Sequence, residues 1–335
     1  MIKIGIPRAL LYYQYYPMWK TFFTELGAEV VISPPTTQAM LAEGSSRVVA
    51  DTCLSVKIFL GHVLSLITEC DFIFIPAVRS VKSKSYSCSK LLGLPDLTKA
   101  VIPESPPILD IDIDVNQSKH KLYLAIYKLG RFFTWNPLKI RQACLAAIQT
   151  NWDYQRLMYN DSLTPLQAIE KLSSTTNDDH KNNSSQIIPN KISIAVIGHS
   201  YLLYDEHTNY RLIHKLQQAH INVLTPEMVT PEDLESATAK LVGRSQWTCD
   251  HEVVGAGGYY LENKADGVIG IMTFGCGPDS LLMDTLQRQA SKNKTTPFMS
   301  LTLEEHTAEA GVITRLEAFI DMIERRKRKQ VAICA

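Results

Sequence analysis

The sequence predicts an α/β protein built as two doubly wound parallel-sheet lobes. Three observations carry that prediction. Strand-length apolar runs alternate with helical patterns in both halves of the 335 residues. Residues 71–78 read as a fully apolar strand, the kind buried on both faces of a parallel sheet. The alternation restarts after a stretch rich in Ser, Thr, Asn and Asp at 173–190.

The elements follow in order. Residues 2–6 read as a short buried strand broken by Pro7-Arg8, and 15–26 as a helix closed by Gly27. A strand over 28–33 ends at Pro34-Pro35, and a helix is expected near 37–43. Another helix runs from about 54 to 68, with Asp51 or Thr52 as its cap. After the strand at 71–78 comes a polar loop, 79–89, and then a further strand near 107–112. Residues 118–172 read as mostly helical. The stretch 173–190 buries too little apolar surface to order itself and reads as a linker. In the second half, strands are expected at 192–197, 221–224, 267–274 and 298–303, with helices at 209–219, 231–242, 280–290 and 307–326. The expected domains are therefore 1–117, a helical segment 118–172, a linker 173–190, and 191–335.

Composition narrows the function. Lys plus Arg equals Asp plus Glu, at 34 each, which argues against nucleic acid as the partner. The basic run Arg325–Lys329 reads as a solvated helix end. No apolar run approaches the length of a membrane span, and no signal-peptide pattern opens the chain, so a cytoplasmic location is expected. The seven cysteines then read as thiols or metal ligands rather than a disulfide framework.

Three of those cysteines sit where chemistry would want them. Cys276 follows an apolar strand inside Gly275-Cys276-Gly277-Pro278, and ligands of open α/β sheets bind outside strand carboxyl ends. Cys53 opens a helix, where the dipole favours a thiolate. Cys88 lies in the loop after another apolar strand. Each taken singly also fits a buried structural cysteine. Their spacing is too wide for a local ferredoxin or zinc-knuckle pattern. Cys70 and Cys144 read as core, and Cys334 belongs to the tail. Cys249 reads either as a fourth ligand or as a surface thiol. Lys57, His62, His199, His306, Glu304 and Glu305 are the polar candidates. His199 and His306 each follow a strand end and suit proton transfer or substrate binding, or simply a loop role. Gly255-Ala256-Gly257-Gly258 has no strand before it, and no Walker A sequence is present, so no ATP hydrolysis is expected.

At these residues the chain resembles the acyl-CoA dehydratase activase-related (DUF2229) family, relatives of the 2-hydroxyacyl-CoA dehydratase subunits and the double-cubane cluster proteins. The matching segments are Ile4-Gly5-Ile6-Pro7-Arg8-Ala9-Leu10, Cys53-Leu54-Ser55-Val56-Lys57 with Gly61-His62-Val63, and Cys88 ahead of Gly93-Leu94-Pro95-Asp96. They continue with Gly198-His199-Ser200-Tyr201 and Tyr204-Asp205, then Phe274-Gly275-Cys276-Gly277-Pro278, and Glu305-His306-Thr307 through Gly311-Val312-Ile313-Thr314-Arg315-Leu316-Glu317-Ala318-Phe319. Ser55 and Ser89 stand where many relatives carry Pro; neither removes a ligand.

The resemblance implies two flavodoxin-like lobes with a [4Fe–4S] cluster between them, held by Cys53, Cys88 and Cys276. Lys57, His199 and His306 would line the cleft. It also implies one electron from an ATP-hydrolysing activator, often fused in this family and here expected as a separate protein. An acyl-CoA substrate and a homologous or identical second subunit belong to the same expectation. A double cubane needs about six thiolates, so three good ones favour a single cluster. Two rivals remain at this point: a double-cubane-type reductase of small molecules, and a non-enzymatic zinc-binding or scaffold protein.

Overall fold

The computed structural model describes residues 1–174, 191–243, 247, 251–262, 264–293 and 295–334. They fall into two compact units. Residues 1–174 with Trp247 form the first, and 191–243 with the described residues from 251 onward form the second. The linker expected at 173–190 lies, from 175 on, outside the described residues.

The first unit runs β1 (Lys3–Ile6), α1 (Tyr12–Glu25), β2 (Glu29–Ile32), α2 (Gln38–Ser46), α3 (Leu54–Ser65), β3 (Phe72–Phe74), β4 (Ala77–Ser80), α4 (Ser89–Leu92), α5 (Leu94–Val101), β5 (Ile108–Leu109) and β6 (Asp112–Asp114). Its helical layer is α6 (Lys119–Arg131), α7 (Pro137–Asn160) and α8 (Pro165–Ser173). The main sheet has the order β2-β1-β3-β5, all parallel, and β4 pairs with β6 in a separate parallel ribbon.

The single strand expected at 71–78 is thus two strands in two sheets. Pro76 sits at the break. It has no N–H to give the ladder, so pairing stops at Phe74 and restarts at Ala77. The helical segment breaks at Asn136-Pro137, where Asn136 accepts from the amides of Leu138 and Lys139 and Pro137 takes the first helical position. Thr164 and Gln167 form a capping box at the start of α8. These helices pack on the first unit. The Tyr154 hydroxyl, fully buried, donates to the Tyr13 carbonyl at 2.6 Å, and Trp19, Phe23, Phe74 and Phe133 form an aromatic cluster beneath.

The second unit runs β7 (Ser193–Ile197), α9 (Ser200–Leu203), α10 (Leu212–Gln218), β8 (Asn222–Leu224), a 3₁₀ turn (Pro226–Met228), α11 (Pro231–Val242), a π turn (His251–Gly255), α12 (Ala256–Leu261), β9 (Gly267–Thr273), α13 (Gly277–Asn293), β10 (Phe298–Leu303) and α14 (Glu309–Cys334). The sheet order is β10-β9-β7-β8, again all parallel. Strands β7 and β9 are buried almost throughout, as a sheet covered on both faces requires.

Numbered within each unit, both sheets have the doubly wound order 2-1-3-4. The chain leaves the first strand for one edge and the third strand for the other. The crevice at their carboxyl ends is the switch point where such folds bind ligands. The glycine run at 255–258 is a packing device. A Cβ on Gly257 would meet Leu286 Cδ1 at 2.5 Å, and one on Gly258 would meet Leu241 Cδ1 at 2.5 Å. No helix among the described residues is long and apolar enough to cross a membrane.

Candidate functional site

Cys53, Cys88 and Cys276 occupy one structural position three times over. Cys53 is the N-cap of α3, with its carbonyl accepting from the amides of Val56 and Lys57. Cys88 is the N-cap of α4, with its carbonyl accepting from Leu91 and Leu92. Cys276 immediately precedes α13, and its carbonyl accepts from Ser280. The helix expected to be capped by Asp51 or Thr52 is therefore capped by the cysteine itself. Its side chain makes no capping bond, and neither does that of Cys88. All three are half-buried, and none is in a disulfide.

Local sequence explains each placement. Gly275 has φ +79°, a left-handed turn that swings the chain from β9 into α13 with Cys276 at the corner. Gly277 faces open space. Cys53 is set by the crossing of α2 over α3. A Cβ on Gly44 would stand 1.9 Å from the Lys57 carbonyl oxygen, and one on Gly61 would stand 2.1 Å from that of Met40. Glycine at both positions lets the two backbones touch.

Lys57 is buried, and its ammonium donates to the Ala50 carbonyl at 2.9 Å, which ties the loop before Cys53 to its helix. His62, also on α3, is fully buried, with Nδ1 2.8 Å from Ser33 Oγ and Nε2 2.9 Å from Thr36 Oγ1. Ser33 Oγ in turn accepts from the Arg8 amide. That chain joins the ends of β1 and β2 and fixes the Pro7-Arg8 turn. The first unit's own switch point holds a water-sized apolar cavity of about 40 Å³, walled by Pro7, Tyr12, Trp19, Phe59 and Phe74. Tyr12 and Tyr16 are its titratable groups, both pushed up by burial.

The second unit's switch point holds a buried acid–base pair. His199 follows β7, and Asp279 lies three residues beyond Cys276, after β9. His199 Nε2 and Asp279 Oδ1 are 2.7 Å apart, and both residues are buried. The His199 ring stacks on Tyr201 at 5.0 Å. Among the described residues, Asp279 Oδ2 and the hydroxyl of Ser200, which follows His199 in the chain, are buried without a hydrogen-bond partner. Glu252, on the π turn, is half-buried, and desolvation pushes its carboxyl up to about 7, with His199 pulling it back down. Glu227 raises it further, and is itself raised by burial while accepting from the Tyr204 hydroxyl at 2.7 Å.

The remaining candidates separate cleanly. The His306 side chain is 84% exposed, with Glu305 at 3.8 Å, so it lines no enclosed site. Cys249 lies outside the described residues. Cys70 and Cys144 are half-buried, as the three cysteines at helix starts are, and burial pushes their thiols up. Among the described residues no three His, Cys, Asp or Glu side chains gather in a group that could hold a metal ion. Cys53 and Cys88 belong to the first unit and Cys276 to the second. Sequence reasoning missed Asp279, Glu252 and Glu227. The one available signal was Asp279 in the first turn of a helix opened by Cys276. Glu252 and Glu227 sit in irregular segments with no periodicity to mark them.

The doubly wound units and the recurring cysteine caps define a class of α/β proteins that present thiols at helix starts. The chain belongs to the family described as CoA enzyme activase uncharacterised domain (DUF2229), which matches residues 3–229, about two thirds of its length. The match takes in Cys53, Cys88 and His199, and Cys276 lies beyond it. No curated protein matches the chain.

Proposed function

We propose that this chain is an iron–sulfur protein that acts as a 2-hydroxyacyl-CoA dehydratase-like or electron-transfer subunit, with one [4Fe–4S] cluster on Cys53, Cys88 and Cys276. The observation that carries the reading is the repeated placement of these thiols at helix N-termini within a CoA enzyme activase-related family. The donor chemistry suits the group. Thiolates are the ligands cubane clusters take, and the starts of the long helices α3 and α13 favour negative charge. Exposed apolar side chains flank each cysteine: Val49 near Cys53, Tyr86 near Cys88, and Phe274 and Leu281 near Cys276. Such surfaces are ready to be covered. A bound cluster would supply a low-potential electron and an iron able to polarise a thioester oxygen.

A separate ATP-hydrolysing activator would charge the cluster, and the location expected for such chemistry is the cytoplasm. Lys57 holds the Cys53 loop in shape and brings a buried positive charge close to it, which favours an anionic occupant.

Anaerobic purification with assay of iron, sulfide and visible absorption tests the reading. The expected result is about four irons per chain after reconstitution, lost in Cys276→Ala and kept in Cys144→Ala. Zinc in place of iron, or a spectrum unchanged by Cys276→Ala, overturns it. Reduced protein given a 2-hydroxyacyl-CoA, and separately azide or acetylene, divides the dehydratase from a small-molecule reductase.

A further inference from the structure

The basic run Arg325–Lys329 is more than a solvated helix end. In a helix, spacings of three and four residues return to one face, so Arg326 and Lys327 share the face of Ile323, which is 2% exposed. Both cations are half-buried, while Arg325, Arg328 and Lys329 are exposed. Backbone carbonyls hold the inward pair. The Arg326 guanidinium donates to the Thr295 carbonyl at 3.0 Å, and the Lys327 ammonium donates to the Lys191 carbonyl at 3.1 Å and to Asp266 Oδ2 at 2.9 Å. The same Asp266 oxygen accepts from the Ser193 amide at 2.8 Å.

These contacts frame a polar pocket of about 340 Å³, within the size range of small-molecule sites. Lys191, Lys264, Arg326 and Lys327 line it against one carboxylate, that of Asp266. Ser193, Thr295 and Thr296 add hydroxyls. Among the described residues only Ala265 and Ile323 line it with apolar side chains, and no aromatic ring offers a face for a base. The acidic side chains nearby in sequence are engaged elsewhere, Glu262 with Lys240 at 3.0 Å and Glu324 with Arg328 at 3.2 Å. Four cations against one carboxylate leave an excess of three positive charges in a concavity, and such a field concentrates anions.

The pocket belongs wholly to the second unit and lies at the amino ends of its sheet. Ser193 opens β7, Asp266 directly precedes β9, and Thr296 stands just before β10. Cys276 and His199 follow the carboxyl ends of β9 and β7. The seven residues of β9 put about 20 Å between the two places.

We propose that this pocket binds a diphosphate-bearing small molecule by its phosphate groups. A phosphate monoester carries about −1.5 to −2 near neutrality, so an excess of three charges matches two linked phosphates better than one. Arg326 supplies a planar set of donors suited to phosphate oxygens, and the lysines supply compact charge. With no ring or apolar wall to grip it, the rest of the ligand lies outside the pocket. Neither a cluster nor an acyl-CoA is needed for this binding.

Isothermal titration calorimetry of the full-length chain at about 0.15 M salt, with pyrophosphate as the probe, tests the site. The expected result is one site per chain that binds pyrophosphate about tenfold more tightly than inorganic phosphate. Lys264→Gln and Arg326→Gln should each weaken pyrophosphate by about tenfold, and Arg325→Gln and Arg328→Gln, on the outward face of the same helix, should leave it unchanged. Lys264 is exposed, so its variant decides the matter should Arg326→Gln fail to fold. Equal weakening by the outward variants, or no binding of pyrophosphate at millimolar concentration, overturns the site. A single-stranded oligonucleotide that binds more tightly than pyrophosphate and is lost in Arg325→Gln would make the run a nucleic-acid surface, and overturns it too.

Discussion

His199 Nε2 stands 2.7 Å from Asp279 Oδ1, and this one bond joins the ends of the two adjacent strands β7 and β9. With both side chains buried, it acts as a clamp across the switch point of the second unit. Removing one partner leaves the other buried without it. Asp279→Ala should therefore destabilise the second unit by about 3 kcal/mol, and Asp279→Asn, which keeps an acceptor, by clearly less. Urea unfolding followed by circular dichroism measures both. Equal stability of Asp279→Ala and the unaltered chain would show that the clamp carries no load.

Glu252 makes stability depend on pH in a definite direction. Its folded carboxyl titrates at about 7, above the ordinary 4.5, chiefly because of burial. Between those values the folded state binds more protons than the unfolded state, so stability falls as pH rises through that window and levels off above it. The window corresponds to about 3 kcal/mol, and Glu227, also raised, acts in the same sense. Glu252→Gln should flatten most of the slope between pH 5 and 7.5 in denaturant titrations. A slope that survives the substitution assigns the effect to other groups.

Gly44 and Gly61 fix the spacing of α2 and α3, since a methyl group at either would stand about 2 Å from a backbone oxygen. Backbone cannot swing aside as a side chain can. Gly44→Ala and Gly61→Ala should each cost about 2 kcal/mol or more by forcing the helices apart. Once one substitution has widened the gap, the second should cost less, so the double variant falls short of the sum. Thermal unfolding reads the stability. Alkylation of Cys53 at the start of α3 reads whether the displacement reaches the cysteine, and an unchanged rate would confine the damage to the crossing.

Much of the fold was legible in local pattern. Apolar strand-length runs marked β7 and β9, because strands buried on both faces need apolar side chains at every position, and the edge strand β10 showed instead by alternation, exposed Ser300 and Thr302 with buried Leu301 and Leu303. Glycine and proline marked most of the boundaries. The division of residues 71–78 was not legible, because its apolar pattern is continuous and only the missing amide of Pro76 breaks the pairing. Cys53, Cys88 and Cys276 were visible as residues at element ends, and their shared role as helix N-caps follows from backbone hydrogen bonds that the sequence does not display.

The sequence by itself determined the alternation of strands and helices, the candidate thiols and the position of His199 after a buried strand. Only the tertiary structure decided which groups meet. Sheet order places β7 beside β9, although some 70 residues separate them, and so brings Asp279 to His199. Burial, a property of the whole unit, raises the Glu252 carboxyl while His306 stands in solvent. Local periodicity records which face of an element is covered. It carries no information about what covers it, and there the chemistry of this protein is set.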